Sequence, residues 1–361
     1  MKFSFNNKNQ AFYNTLKAEV DKYFNQRKVK KTGNWKLFLK SGVLIPSAIA
    51  IYIILLRFDW SITGIILLSA LLGLAMAMIG FNVMHDACHG SFSSKKWMNN
   101  LFGFSINILG GNAFMWKQKH NIIHHTYTNV DGIDDDISFS TLIRSCETQQ
   151  WKPVHRVQHL YLPIMYSLTS FAWMFGTDYV KYFTKKVHTT PMSKMDTSEH
   201  FIFWISKLIN ISYYIIIPLL LKGWLFWLLF FASLHIVLGL VLAVVFQLAH
   251  IVEHTEFEVA TIEPKMVESE WAVHQVKTTA NFAPKNKIIS WMVGGLNFQI
   301  EHHLFPRISH IHYPELSKIV KKTCEKFNLP YNQYPTMWSA FVSHYRMMRK
   351  LGRKPVLAMA R

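Results

Sequence analysis

The sequence predicts an all-α integral membrane protein, with four transmembrane helices in two hairpins and a cytoplasmic helical cap that carries clustered histidines. Three observations lead to this fold class. Half of the 361 residues are hydrophobic and only 17% are charged, whereas soluble domains average about 25% charged residues. The apolar residues form four long runs. The basic residues, which give a net charge of +18, gather outside these runs. This composition excludes a disordered chain, and three cysteines are too few for a disulfide scaffold.

The four apolar runs have the length that a membrane-spanning helix requires. We predict spans at residues 41–57, 61–84, 201–221 and 224–250, since about 20 predominantly apolar residues cross the hydrocarbon core as a helix. The first is the shortest and contains Pro46. A soluble protein with buried core helices is the alternative, and the length of the runs disfavours it.

The charge distribution predicts the domain limits and the topology. Residues 1–40 carry ten Lys/Arg against two Asp/Glu, and residues 305–361 carry eleven against two. Because basic residues favour the cytoplasmic side, we expect a basic cytoplasmic N-terminal segment (1–40), a membrane domain (41–325) and a basic cytoplasmic C-terminal tail (326–361). A nucleic-acid-binding protein can carry such charge, but the long uncharged runs argue against nucleic acid as a partner.

Three histidine clusters provide the main functional signal. His85 and His89 are four residues apart, His120 is followed by His124 and His125, and two adjacent histidines occur at 302 and 303. Residues four apart share one face of a helix, so neighbouring imidazoles can bind one metal ion. The ring of His125 should point about 100° around the helix axis from that of His124. One helix can therefore offer ligands to two ions. A single pair would more commonly be solvated or packed, but three clusters favour a metal site.

Helix length places a further histidine beside these clusters. The paths from the far ends of the second and fourth spans to His85 and His250 are roughly 38 Å, longer than the ~30 Å hydrocarbon core. Both residues should therefore emerge on the cytoplasmic face, and His250 is a predicted ligand with His254 as its nearest competitor. His235 should lie near mid-membrane as a hydrogen-bonded packing residue. Solvated positions are expected for the histidines without this spacing: His155, His159, His188, His200, His310, His312 and His344.

The donor set indicates the metal chemistry. Imidazole suits Zn, Cu, Fe and Ni, and eight or nine nitrogen donors exceed the needs of one ion, so two ions are implied. The sequence contains neither a Glu-x-x-His motif nor a cysteine pair at zinc spacing. A histidine-bound pair of irons fits oxygen activation and attack on an apolar C–H bond, although spacing alone does not require that step. Side chains that could orient the imidazoles are Asp86, Asn129, Asp131 and Asp134–Asp136, and a solvated acidic turn is the favoured interpretation of the last run.

The three clusters resemble a known family. HDACH at 85–89, HNIIHH at 120–125 and NFQIEHHLFPRISH at 297–310 resemble the three histidine boxes of membrane fatty-acid desaturases, over residues 40 to 325. Gln299 stands where many relatives have His, which is similar to the front-end and bacterial acyl-lipid or acyl-CoA branch. The resemblance implies two Fe²⁺ ions, with Gln299 as a candidate weak or water-mediated ligand beside these eight: His85, His89, His120, His124, His125, His250, His302 and His303.

The resemblance also implies the reaction. It implies an O₂-dependent non-haem di-iron oxidoreductase that introduces a cis double bond into a long acyl chain, presented as acyl-CoA or as a membrane acyl lipid. The His-Pro-Gly-Gly motif of a fused cytochrome b5 domain does not occur in the sequence, so electrons are expected from a separate ferredoxin or cytochrome b5-type carrier.

Two alternatives stay open. One is a di-iron hydroxylase of alkanes, carotenoids or lipids on the same scaffold, which would insert oxygen instead of forming a double bond. The other is a membrane metal transporter, which should place its polar ligands near the membrane midplane.

Overall fold

The computed structural model describes residues 3–8, 10–138, 140–260, 265–267 and 269–355. The described chain is mostly helical. Its α-helices are α1 (Ala11–Arg27), α2 (Trp35–Arg57), α3 (Ile62–Ile79), α4 (His85–Cys88), α5 (Lys96–Gly103), α6 (Ser105–Ile108), α7 (Ala113–Trp116), α8 (Gln158–Ser167), α9 (Thr169–Ala172), α10 (Asp178–Thr184), α11 (Thr197–Ile211), α12 (Ile217–His250), α13 (Trp271–Thr278), α14 (Lys287–Met292), α15 (Gln299–Leu304), α16 (Tyr313–Lys326) and α17 (Met337–Leu351).

Three continuous helical stretches within the described residues are long and apolar enough to cross a membrane: Trp35–Arg57, Ile62–Cys88 and Thr197–His250. The first begins before the predicted residue 41, because the side chain of Asn34 caps it by accepting a hydrogen bond from the Lys36 N–H at 3.0 Å. The third is 54 residues long, but it is interrupted at Gly223, whose φ of 81° and ψ of 174° are not helical. This interruption falls between the predicted runs 201–221 and 224–250.

The central packing contact joins α3 to α12. Leu72 and Leu238 are buried in the hydrophobic core that these helices share with α2. A Cβ atom on Gly73 would lie 2.4 Å from the carbonyl oxygen of Leu234. The two backbones can approach this closely because Gly73 has no side chain.

A second hydrophobic core lies outside the apolar stretches. It joins α1, α13, α15 and α16, and its buried members include Leu16, Val276 and Leu316. The C-terminal helix α17 is also packed, with Met348 and Leu351 buried against α8. Helix α17, which lies within the expected C-terminal tail (326–361), therefore packs against the rest of the fold.

Four short strand pairs occur within the described residues, and three of them join segments that are far apart in sequence. Three are parallel and one is antiparallel. The strands are β1 (Phe3–Phe5) with β6 (Lys265–Val267), β2 (Val130–Asp131) with β5 (Glu258–Val259), β3 (Lys186–Val187) with β4 (Thr190–Pro191), and β7 (Asn281–Phe282) with β8 (Gln333–Tyr334).

Candidate metal centre

The histidine clusters converge at one end of the apolar helices. The second and third apolar stretches carry His85 and His250 close to their ends, and the short helix α15 carries the adjacent pair at 302 and 303. A π-helical turn, Lys117–His124, carries the middle cluster. All eight predicted ligands are buried, with exposures between 0% and 8%. The structure therefore gathers the whole predicted set, although its members come from four separate stretches of chain.

The imidazoles form two main groups. In the first group one ring nitrogen from each of four histidines lies within 4.8 Å of the others: His85, His89, His120 and His302. In the second group the same limit holds for His124, His250 and His303. Each group has the size and chemistry to hold one metal ion.

The remaining ligand candidate, His125, lies between the two groups. One of its ring nitrogens lies within 4.8 Å of one ring nitrogen of His302 and one of His303. In a regular α-helix, His120 and His125 would diverge by about 140° at 100° per residue. The π-helical turn instead bonds the N–H of His125 to the carbonyl of His120 at 3.1 Å, and their Nε2 atoms lie 3.3 Å apart. The wider turn thus brings together rings that α-helical geometry predicted to separate.

Unpartnered nitrogens mark this cluster as incomplete without a ligand. Buried polar atoms are nearly always hydrogen-bonded in folded proteins. Among the described residues, seven of the eight imidazoles have at least one buried ring nitrogen without a hydrogen-bond partner. A metal ion in each group would satisfy these lone pairs, so the residues fit the metal centre that the sequence predicts.

The electrostatics of the centre favour neutral imidazoles. Burial, followed by the charge of neighbouring imidazoles, lowers the pKa well below the usual histidine value for five rings outside the apolar stretches: His89, His120, His125, His302 and His303. Neutral rings keep the lone pair that a metal requires. For His124, burial also opposes the charged form, but Asp134 and Asp136 together outweigh burial and raise its pKa.

Carboxylate and amide groups orient the second group. The Nδ1 of His124 lies 3.0 Å from Oδ2 of Asp134, which is fully buried. The preference for a solvated acidic turn was therefore wrong for Asp134, because its carboxylate is buried and contacts the imidazole of His124. The side chain of Asn129 donates to the carbonyl of His250 at 2.9 Å. Asp131 instead accepts from the hydroxyl of Thr148 at 2.6 Å.

Three further residues hold the imidazoles of α15, and the sequence analysis did not identify them. The Nδ1 of His303 lies 2.9 Å from Oε1 of Gln275 and 3.1 Å from Oγ1 of Thr128. The Nδ1 of His302 lies 3.1 Å from the hydroxyl of Tyr313. Tyr313 is 11 residues from His302 along the chain, and Gln275 and Thr128 are still farther from His303. No local spacing in the sequence could therefore have revealed these contacts.

Asp86 anchors the first cluster to the segment after α15. Its Oδ2 accepts from the hydroxyl of Ser309 at 2.6 Å and lies 3.0 Å from Nδ1 of His310. His310 is buried, so its predicted solvated position was wrong. The same correction applies to three other histidines whose rings pack in the interior: His155, His312 and His344.

The other histidine predictions have mixed outcomes. His254 is exposed, and its ring stacks on Tyr334 rather than joining the centre. His235 is buried and its Nδ1 lies 3.1 Å from the hydroxyl of Ser170, as predicted for a packing residue. Gln299 is 1% exposed and lies one turn before His303. Neither its Oε1 nor its Nε2 has a hydrogen-bond partner within the described residues.

Comparison with known proteins adds an independent line of evidence. The family profile described as fatty acid desaturase matches residues 59–335. An acyl-lipid (8-3)-desaturase of Physcomitrium patens is 35% identical over 353 residues, which cover 95% of this chain and 72% of that protein. The sn-1 linoleoyl-lipid 6-desaturases of Synechocystis sp. and Arthrospira platensis are 34% and 31% identical. These matches cover 95% and 96% of this chain, and 96% and 94% of the relatives.

Proposed function

The chain belongs to the fatty acid desaturase family, and from this premise we propose that its eight buried histidines hold two Fe²⁺ ions that serve the desaturation of an acyl lipid. The protein is a fatty-acid desaturase, an oxidoreductase of lipid metabolism. The observation that carries the metal proposal is the set of buried, unpartnered ring nitrogens, which fits a metal better than any packing role.

The two histidine groups suggest how the ions are shared. One ion would be held by His85, His89, His120 and His302, and the other by the second group. His125 lies between the two groups and would be a further metal ligand there. Gln299 is adjacent on α15, and its unpartnered amide oxygen supports a weak or water-mediated contact.

The irons would supply oxygen activation, and the protein residues control the surroundings. Asp134, Gln275 and Tyr313 hold three imidazoles by the nitrogen that faces away from the centre, and such contacts fix the orientation of ligating rings. Burial of the whole set excludes bulk water. Water exclusion limits side reactions at an oxidising centre.

The proposed reaction is the removal of two hydrogens from adjacent carbons of a long acyl chain. Reduction of one O₂ to two waters takes four electrons and four protons. The acyl chain supplies two electrons and two protons, and an external carrier of the ferredoxin or cytochrome b5 type supplies two electrons while solvent supplies two protons. The linoleoyl-lipid desaturase relatives support an acyl-lipid substrate that already contains a double bond.

We further propose four membrane spans in two hairpins, with both termini and the metal centre on the cytoplasmic side. The interruption at Gly223 supports a turn between the third and fourth spans. The Nζ of Lys222 lies 2.6 Å from Oδ1 of Asp59 and 3.0 Å from the carbonyl of Phe58. This contact supports the juxtaposition of both hairpin turns at the end away from the histidines, as the four-span arrangement requires.

Analysis of the lipids that an expressing host makes from an added fatty acid tests the proposed function. A host without polyunsaturated lipids would express the chain and receive linoleate, and its lipids would be examined by mass spectrometry. We expect an additional double bond in the acyl-lipid pool and about two irons in each purified chain. Hydroxylated products, or protein that retains no iron, would overturn the proposal.

A further inference from the structure

An open groove lies beside the metal centre, between α1 and the segment that follows α15. Its lining residues come from α1, from the connection between α1 and α2, from the start of α13 and from the segment after α15. The residues that carry its chemistry are Tyr13, Lys17, Asp21, Lys31, Trp271 and Arg307. These residues define the basic groove.

The basic groove contacts the metal centre directly through Trp271. The indole Nε1–H of Trp271 donates a hydrogen bond to the backbone carbonyl of His125 at 3.1 Å. Its ring also meets that of Tyr13 edge-on, with centroids 5.9 Å apart. One side chain therefore lines the groove and touches the residue that lies between the two histidine groups.

Arg307 connects the opposite wall to the centre. It follows His303 by four residues, through Leu304 and Phe305, which also line the groove. The wall that carries Arg307 is therefore continuous along the chain with His303 of the second histidine group.

The charge of the groove is positive. Three cations line it against one carboxylate, that of Asp21, which is already paired with Lys31 at 2.6 Å. Lys17 and Arg307 are both exposed, and neither forms an ion pair within the described part of the chain. A partner with acidic side chains would therefore be attracted to this face.

The surroundings of the groove indicate an aqueous partner rather than a lipid. Helix α1 is described in full, and it exposes no large hydrophobic side chain. The large exposed aromatic residues lie on other elements, including Trp97 of α5, Trp291 of α14 and Trp338 of α17. Such residues are typical of a membrane interface, whereas α1 presents Asn14, Lys17 and Lys22.

We propose that the basic groove is the docking surface for an acidic one-electron carrier protein, which would deliver electrons to the metal centre on the Trp271 side. This inference rests on the proposed function, since the proposed desaturation draws two electrons from outside the protein. Two successive dockings supply them, and each carrier molecule is oxidised by one electron. The acyl chain supplies the other two electrons needed to reduce O₂ to two waters.

Kinetics with two reductants test this proposal. Purified full-length protein in lipid nanodiscs would receive electrons either from an acidic ferredoxin, kept reduced by its reductase, or from dithionite-reduced methyl viologen, a small molecule that needs no docking surface. The variants are Lys17→Glu, Arg307→Glu and the double variant. Lys194→Glu is the matched control, because Lys194 is exposed and lies outside the groove.

We expect each groove variant to raise the KM for ferredoxin about fivefold or more and to weaken the dependence of the rate on salt. Direct titration of the nanodiscs with ferredoxin, without turnover, should show binding weakened by a similar factor. The rate with methyl viologen should change far less, and Lys194→Glu should behave like the unaltered protein. An unchanged KM for ferredoxin in the double variant would overturn the docking proposal. A raised KM for the lipid instead would assign the groove to a lipid head group and would also overturn it. Lack of desaturation by the unaltered protein with both reductants would overturn the proposed function, and this inference with it.

Discussion

Asp134 holds His124 through a buried contact of 3.0 Å, and both side chains are 1% exposed. The carboxylate accepts the Nδ1 proton, so the Nε2 lone pair is left for a metal. Because Asp134 also accepts from the backbone N–H of Asn129 at 2.9 Å, its position is fixed from two sides. The proposed second iron group depends on this orientation.

Asp134→Asn should weaken iron binding about 10- to 100-fold, because the amide is a poorer acceptor for the imidazole N–H. Competition with a graded iron chelator measures the change. Asp131→Asn is the control, since Asp131 contacts Thr148 instead of a histidine. Equal iron affinity in both variants would contradict the positioning role of Asp134.

His124→Ala and His303→Ala should each abolish lipid unsaturation while the protein still inserts into the membrane. Each substitution removes a ring nitrogen from the second histidine group, in which the nitrogens lie within 4.8 Å of one another. Fatty-acid profiling of an expressing host measures the loss, and membrane fractionation verifies insertion. His254→Ala is the control because His254 is exposed. Full activity in both ligand variants would remove the metal-site assignment.

Gln299→His should change the activity but leave the iron content about the same. The substitution adds an imidazole at a buried position, yet the eight existing histidines already supply the donors for two ions. Parallel measurements of iron per chain and of product formation separate the two effects. A large loss of iron would show that Gln299 itself is needed to retain the metal.

Gly73→Ala should destabilise the protein by about 1–3 kcal/mol, because overpacking a close contact costs that much. The new Cβ would lie 2.4 Å from the carbonyl of Leu234, which is backbone and cannot move aside easily. Gly42→Ala is the matched control on α2, where a Cβ meets nothing within 4 Å. Thermal unfolding in detergent compares the two, and a Gly73 variant as stable as the Gly42 variant would disprove the contact.

Removal of iron should lower the Tm, because the buried ring nitrogens would lose their only partners. Chelation followed by thermal unfolding measures the shift, and added Fe²⁺ should restore it. The His303→Ala variant should show a smaller shift than the unaltered protein. An identical Tm with and without iron would count against the metal centre.

Clustering in the sequence predicted which histidines the fold brings together, and in two clusters a spacing of four residues places two imidazoles on one face of a helix. His250 was found from the length of its helix rather than from a motif. The structure brings it to His124 and His303, with ring centroids 4.7 and 4.9 Å away. A long apolar helix fixes where its last residue emerges, which made this residue predictable.

The partners of the histidines were less predictable. Gln275 and Tyr313 come from other elements, and His310 meets Asp86 across 224 residues of chain. Their spacing contains no periodic signal, because these contacts form only when segments that are distant in sequence pack together. The prediction for Asp134 failed for another reason. Three consecutive aspartates are typical of a solvated turn, and only the fold shows that one of them is buried.

Both histidine groups draw on the same late stretch of chain, since the first requires His302 and the second requires His303. During synthesis on the ribosome, more than 50 residues separate His250 from these last two donors. Neither set can be complete until that stretch has emerged and α15 has reached the earlier helices. Loading of the two proposed irons would therefore come late in biogenesis, after the apolar helices have been synthesised, and the nascent chain would have to keep its earlier histidines available until then.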